Sequence, residues 1–356
     1  MFAFVGRSVL LGLLTAVLLL AIFPGLRFSM SDPSISLSAL TQEQPLSYNE
    51  AVRRASPAVV NIYTRRYSGE DRLQLSPEGL GSGVIMSSKG YILTNFHVIS
   101  RADQVIVALQ DGRIFTAQLV GSDRRSDIAV LKIEADNLPV IPQNQEYTPE
   151  VGDVVMAIGN PYNLGQTTTF GIISATGRSG ISINGPGDFL QTDAAINQGN
   201  SGGALVNTLG VLVGINTASF QQATSLETYG ISFAIPYKVA LRMMNKIIAD
   251  GRVIRGYIGI DGRDINPVMA RLLDVQHVQG IVVMGMDPNG PAHKAGLRVN
   301  DVLIALDNKP VNGVRNAFDI VADLRPGKEI QVKVIRNGQP LSIPLTIGEE
   351  PEQNRG

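Results

Sequence analysis

Gly199-Asn200-Ser201-Gly202-Gly203 sets a serine among glycines and runs at once into the apolar stretch Ala204-Leu205-Val206. Glycines admit backbone angles that turn successive N–H groups into one concavity, and an oxyanion developing beside a serine hydroxyl requires such donors. A serine hydroxyl alone is a weak nucleophile and needs a base. The chain has 3 histidines, at 97, 277 and 293, and only His97 shares a β-rich region with Ser201, in Thr94-Asn95-Phe96-His97-Val98 directly after Tyr91-Ile92-Leu93. The imidazole in turn needs a carboxylate to hold its tautomer and stabilise its cation. Asp127 opens the apolar run Ile128-Ala129-Val130-Leu131 and is suited to that part.

Around these residues the chain reads as short β-rich runs between Gly, Asp and Asn turns: 59–64, 83–86, 92–94, 105–109, 114–120, 129–133, 154–158, 167–175, 204–206, 211–216 and 231–235. Little helix intervenes, which is the pattern of β-barrels or sandwiches. Ser47 and Glu50 form a capping-box spacing that predicts a short helix through Ala55, stopped near Pro57. Tyr237 to Asp250, with Val239, Met243, Ile247 and Ile248 on one face, predicts an amphipathic helix ended at Gly251. A mixed segment of roughly ninety residues follows, closing in the acidic Glu349, Glu350 and Glu352.

The 356 residues are enough for two separate cores. With 30 Lys and Arg against 31 Asp and Glu, the net charge of −1 offers no field for neutralising phosphates, so nucleic acid is not an expected partner. The absence of Cys excludes thiol catalysis, disulfides and iron–sulfur clusters. No HExxH, close His pair or P-loop occurs, so neither a metal nor another cofactor is expected. The mean hydropathy of +0.12 is raised locally. Ser8 to Leu26 is an uncharged stretch of 19 positions between Arg7 and Arg27, about 28 Å as a helix. It reads as a single-pass anchor in preference to a cleaved signal peptide, whose cleavage site could only lie well beyond it, near Ser36, Ser38 and Ala39.

The order His, Asp, Ser, with the TNxHV, DxAVLK and GNSGG contexts, resembles the chymotrypsin-like serine proteases and specifically the HtrA family. The resemblance implies a mainly β fold, with a double β-barrel protease domain followed by one α/β PDZ domain. It implies His97 as general base, Asp127 as orienting acid, Ser201 as nucleophile, and the amides of Gly199 and Ser201 as the oxyanion hole. Asn200 replaces the Asp by which digestive relatives receive a newly cut amino terminus, so activation by propeptide cleavage is not expected. By position, Ala195 and Ile196 floor the specificity pocket, and Asn216, Thr217 and Ser219 form its wall. With Asp193 given a structural role, no carboxylate remains to attract a basic side chain, and small or medium apolar residues are expected before the cut.

Arg255-Gly256-Tyr257-Ile258-Gly259-Ile260, Gly290-Pro291-Ala292-His293-Lys294-Ala295-Gly296-Leu297 and Asp307-Asn308-Lys309-Pro310 resemble a PDZ domain of the HtrA type. Tyr257, Ile258, Gly259 and Ile260 are then the site for an extended carboxy-terminal peptide. A helix over 316–324 carrying Phe318 and Val321 is the expected opposite wall, and His277 and His293 are expected to be exposed or structural. The implied organisation is an anchor over 1–28, a linker over 29–46, the protease domain over 47–252, the PDZ domain over 253–348 and an acidic tail over 349–356.

An anchor with a single PDZ domain resembles the family's membrane-tethered stress sensors. That implies a bacterial inner-membrane location with the catalytic domain in the periplasm, and recognition of the carboxyl termini of unassembled outer-membrane proteins. It further implies cleavage of a membrane-spanning anti-sigma factor, and a homotrimer with contacts near Tyr48. The same resemblance implies that Tyr162, Thr167, Arg178 and Gln191 couple PDZ occupancy to the oxyanion loop. The alternatives are a general quality-control protease with chaperone character and, from another class, an inert peptide-binding scaffold.

Overall fold

Runs of β-branched residues cut by tight turns close into two six-stranded antiparallel barrels. The structure, a computed structural model, describes residues 2–22, 47–67, 75–160, 165–178, 189–217, 230–273, 275 and 279–351. The chain divides into two units, Met1–Ser47 and Tyr48–Gly356. The first contains helix α1 (Phe2–Ile22), on which Leu10, Leu11, Leu13 and Leu14 are exposed. The anticipated span to Leu26 and the linker run beyond the described residues, and among the described residues no helix is long and apolar enough to cross a membrane.

The second unit opens with α2 (Asn49–Ala55), which passes through Pro57 into a 3-10 turn at Ser56–Ala58. Tyr48 is its N-cap, so the capping box expected at Ser47 falls one residue early. The first barrel follows: β1 (Val59–Tyr67), β2 (Leu75–Ile85), β3 (Tyr91–Thr94), the single helical turn α3 (Phe96–Ile99), β4 (Gln104–Ala108), β5 (Ile114–Asp123) and β6 (Ile128–Lys132). The second comprises β7 (Val154–Gly159), β8 (Thr167–Arg178), β9 (Phe189–Thr192), β10 (Ala204–Asn207), β11 (Leu212–Thr217) and β12 (Ser232–Pro236). β9 is the one barrel strand absent from the sequence-based expectation. It has four residues, and its pairing with β8 and β12 makes it a strand.

The two-residue period of a strand explains where the core sits. On β6, Ala129 and Leu131 fill the first barrel, while Ile128 and Val130 face the second. On β7, Val155 and Ala157 fill the second barrel, while Met156 and Ile158 face the first. Both faces of these strands are therefore buried, which is why their sequences lack apolar–polar alternation. Helix α4 (Tyr237–Asp250) buries Tyr237, Ala240, Met243, Met244 and Ile247 in the same inter-barrel core. Gly251 ends it in the left-handed region at φ 72°, its N–H on Ile247 O at 2.8 Å.

The rest is a PDZ-type sheet. β13 (Gly256–Tyr257), β14 (Ile260–Asp264), α5 (Pro267–Leu272), β15 (Ile281–Met286), α6 (Pro291–Lys294), β16 (Val302–Leu306), β17 (Lys309–Pro310), α7 (Val314–Ala322), β18 (Glu329–Arg336), β19 (Gln339–Thr346) and β20 (Gly348–Glu349) follow in order. The sheet runs β14-β15-β16-β18-β19, with β17 on β16, so β14 is an edge. Asp307-Asn308 (φ 48° and 63°) and Asn337-Gly338 (φ 49° and 73°) are two-residue hairpin loops with both central angles positive, as a type I′ turn requires.

Polar contacts join this sheet to the barrels. Arg255 donates two hydrogen bonds to Asp123, at 2.8 and 2.6 Å, and both side chains are nearly buried. Arg242 and Lys246 on α4 pair with Asp323, and Arg325 pairs with Asp250. Glu349 and Glu350, at the start of the expected acidic tail, pair with Arg252 and Arg125; residues 352–356 lie outside the described residues. Phe318, expected on the groove wall, lies under the Arg125 guanidinium, 4.7 Å from its ring centroid. Val321, about 60° away around the helix, is buried in the PDZ core.

Candidate active site

Asp127 sits in the turn before β6 with φ 54°, in the left-handed region that Asp tolerates better than most side chains. Its backbone carbonyl accepts from Phe96 N–H at 3.1 Å and from Asn95 Nδ2 at 3.0 Å. Held this way, the carboxylate meets His97 twice: Oδ1 accepts the His97 backbone N–H at 3.0 Å, and Oδ2 lies 2.8 Å from His97 Nδ1. Thr217 Oγ1 donates to the same Oδ2 at 3.1 Å. The pairing fixes Nδ1 as the protonated nitrogen and leaves Nε2 to act as a base.

Ser201 is 3% exposed, in a loop tied to its surroundings at several points. Asn200 N–H closes a turn on Asn197 O at 3.0 Å with Gly199 at φ 99°, the angle that a type II turn demands of its third residue. Types I and II differ by a flip of the central peptide, whose N–H here is that of Gly199. Gly202 N–H reaches Asn216 O, and Asn216 N–H reaches Gly203 O, both at 2.9 Å. Asn216 therefore fastens the serine loop, while its neighbour Thr217 fastens Asp127. A Cβ on Gly81 would lie 2.5 Å from Val98 Cγ1 and 3.3 Å from Ser201 O, so the His97 turn and the Ser201 loop converge on that glycine. An imidazole anchored by a buried carboxylate and a serine in a glycine loop with positive φ, on segments that converge at Gly81, are the parts acyl transfer requires.

The other expected residues are distributed as follows. Ala195 is exposed, and its carbonyl accepts from Thr169 Oγ1 at 2.8 Å. Ile196 is buried in the second barrel's interior. Asn216 is fully buried with its Nδ2 on Ala204 O at 3.1 Å, and Ser219 lies outside the described residues. Asp193 Oδ1 accepts Ile172 N–H at 2.7 Å and so serves β8. Thr167 pairs with Gly159, Gln191 with Ala175 and Phe233, and Arg178 with Phe189 in strand register, whereas Tyr162 and His277 lie outside the described residues. His293 is exposed on α6 of the PDZ sheet.

In that sheet Gly259 has φ 73°, Ile258 O accepts Ala292 N–H at 2.8 Å and Gly259 O accepts Asp287 N–H at 3.0 Å. These bonds shape the Tyr257–Ile260 loop at the start of the edge strand β14, with α7 packed beside it. Sequence reasoning missed the contribution of Asn95, gave Thr217 only a wall role, and overlooked Ser82. The available signals were polar residues flanked by motif glycines or adjoining His97.

Residues 81–215 match the trypsin-like peptidase domain family and residues 256–347 the PDZ domain family. The chain is 55% identical over 356 residues to serine endoprotease DegS of Escherichia coli (strain K12), covering 99% of this chain and 100% of that one. It is 38% identical over 351 residues to the periplasmic pH-dependent serine endoprotease DegQ of the same organism, covering 92% of this chain and 76% of that one. Among solved structures, the serine endoprotease from Yersinia pestis superposes with a TM-score of 0.69 at 56% identity, covering 87% of this chain and 100% of that one. The HtrA-type protease AlgW with tripeptide gives 0.77 at 46%, again covering 87% and 100%. The two domains, the site geometry and full-length relatives agree that the chain belongs to the HtrA family and is a serine endoprotease.

Proposed function

We propose that the chain is a membrane-tethered regulatory endopeptidase of the bacterial envelope, with His97, Asp127 and Ser201 as its catalytic residues. His97 Nε2 takes the Ser201 proton as Oγ attacks the scissile carbonyl, and the Gly199 and Ser201 N–H groups receive the oxyanion. The imidazolium then delivers its proton to the leaving amine, and water repeats the sequence on the acyl-enzyme. The observation that carries this reading is the Asp127 carboxylate, which accepts from His97 Nδ1, His97 N–H and Thr217 Oγ1 at once. Its negative charge is thereby aimed at the ring that must become cationic. Asp193 is engaged with Ile172 N–H, in keeping with a pocket for small or medium apolar residues.

The protease domain spans 47–252 and the PDZ domain 253–348. The PDZ edge at Tyr257 to Ile260 takes the carboxyl termini of unassembled outer-membrane proteins, and occupancy reaches the oxyanion loop through Tyr162, Thr167, Arg178 and Gln191. The peptide-bound HtrA-type relative supports the first part. The uncharged stretch Ser8 to Leu26 anchors the chain in the inner membrane, in keeping with the exposed leucines of α1, and leaves the catalytic domain in the periplasm, as in DegQ. The substrate is a membrane-spanning anti-sigma factor. Assembly is a homotrimer built around Tyr48, which stacks on the exposed Phe170 at 5.4 Å.

Fluorophosphonate labelling of the purified full-length chain tests this reading. Ser201 should label faster when a peptide with a hydrophobic carboxyl terminus is added, and casein should remain uncut. Rapid casein digestion without the peptide would favour a general quality-control protease. Absence of labelling under both conditions would reduce the chain to a scaffold.

A further inference from the structure

Ser82, in Gly79-Leu80-Gly81-Ser82-Gly83, is fully buried on β2 of the first barrel, yet its contacts reach the Ser201 loop of the second. Its backbone N–H donates to Ser201 O at 2.8 Å, a bond that any residue other than proline could make. Its hydroxyl does something no backbone group there can. It donates to Gly199 O at 2.7 Å and accepts Asn160 N–H at 3.0 Å. Because Asn160 N–H occupies a lone pair, the hydroxyl proton is left to face Gly199 O. Thr94 Oγ1 holds Ser82 O at 2.8 Å and fixes the strand from behind.

The acceptor is the carbonyl of the peptide joining Gly199 to Asn200, and Asn200 N–H of the same peptide is held by Asn197 O. Both ends of one peptide plane are thus fixed, one through the Ser82 hydroxyl. That plane separates the Gly199 N–H from the Ser201 N–H, so its orientation sets whether the two donors converge. Loop attachment alone does not require the hydroxyl, since the Ser82 N–H already supplies it.

We propose that Ser82 is a positioning residue for the oxyanion loop, its hydroxyl locking the Gly199–Asn200 peptide so that the Gly199 and Ser201 amides face one point. The proposal rests on the catalytic reading of Ser201 given above. Losing one oxyanion donor costs about 10² to 10³ in rate; misaligning the pair should cost part of that, about 10- to 100-fold in kcat. KM for a peptide substrate should stay within about threefold. Affinity for a peptide boronate, whose tetrahedral adduct occupies the oxyanion pocket, should fall with kcat, while affinity for the corresponding product peptide should not.

The test measures these quantities, with melting temperature, for the full-length chain and for Ser82→Ala and Ser82→Cys, the latter filling the site with a somewhat larger group that is a poor donor. Ser201→Ala is the blank. A drop in kcat and boronate affinity at unchanged product-peptide affinity supports the proposal. Undiminished kcat in Ser82→Ala, or a loss explained by the unfolded fraction, overturns it. Failure of both Ser82 variants to fold makes the residue a folding determinant and also overturns it. If the parent does not label at Ser201, the active-site reading falls and takes this assignment with it; labelling in the parent that persists at full rate in Ser82→Ala sinks this assignment alone.

Discussion

Strand β6 of the protease and strand β18 of the PDZ sheet are both rich in β-branched and aliphatic residues, yet they do different work. In β6 the four residues Ile128 to Leu131 are all buried, alternately in the first barrel and against the second. In β18 only Ile330, Val332 and Val334 are buried, while Glu329, Gln331 and Lys333 face solvent. A strand packed on both sides can hold the residue at its end rigidly, and Asp127 precedes Ile128. A sheet with one wet face and an open edge at β14 suits the capture of extended peptides. Among the described residues the joint between the two regions includes ion pairs and the Arg125–Phe318 contact, polar interactions suited to domains that adjust relative to each other.

If that division is sound, the largest effect should be confined to one side. Asp127→Asn should lower kcat/KM by about 10⁴ while leaving peptide binding to the PDZ domain unchanged, as isothermal titration would show; a parallel loss of peptide affinity would break the comparison. Next in size is the joint. Arg255→Ala strands Asp123 in a nearly buried site and should cost about 3–5 kcal/mol in urea unfolding. Burial works to raise the Asp123 pKa, but Arg255, together with the Ser126 hydroxyl and N–H, outweighs it and holds the carboxyl below its usual range. The pair's contribution is therefore in full force above about pH 4 and is lost as pH falls through the depressed folded-state value. The stability gap between parent and variant should therefore be widest above about pH 4 and narrow as pH falls below it.

Packing supplies the third contrast. Leu131→Ala should destabilise by about 2–5 kcal/mol, whereas Lys333→Ala, on the exposed face of β18, should stay within about 0.5 kcal/mol. Comparable losses at both would erase the distinction between the two strands. The smallest effect is local: Gly338→Ala forces a side chain to φ 73° and should cost about 1–2 kcal/mol, with protease activity intact.

Much of the architecture is legible locally. The positive-φ pair Asn337-Gly338, the helix stop at Gly251 and the β-rich runs of both barrels follow from short-range chemistry. β9 was not legible, since Phe189-Leu190-Gln191-Thr192 has too few residues for a period and extends because β8 and β12 flank it. Phe318 and Val321 read alike on a helical wheel, and only the nearby Arg125 guanidinium distinguishes them.

The amino-acid order alone determined which chemistry this chain can hold. One imidazole shares the β-rich region with Ser201, the serine lies among glycines, a carboxylate opens an apolar strand, and cysteine is absent. Tertiary structure alone decided that Thr217 joins Asp127, that Asn216 ties down the serine loop, and that the Ser82 hydroxyl reaches Gly199, 117 positions along the chain. Chain chemistry acts over the few residues a turn or strand can span, whereas a hydrogen bond between barrels exists only once both have closed.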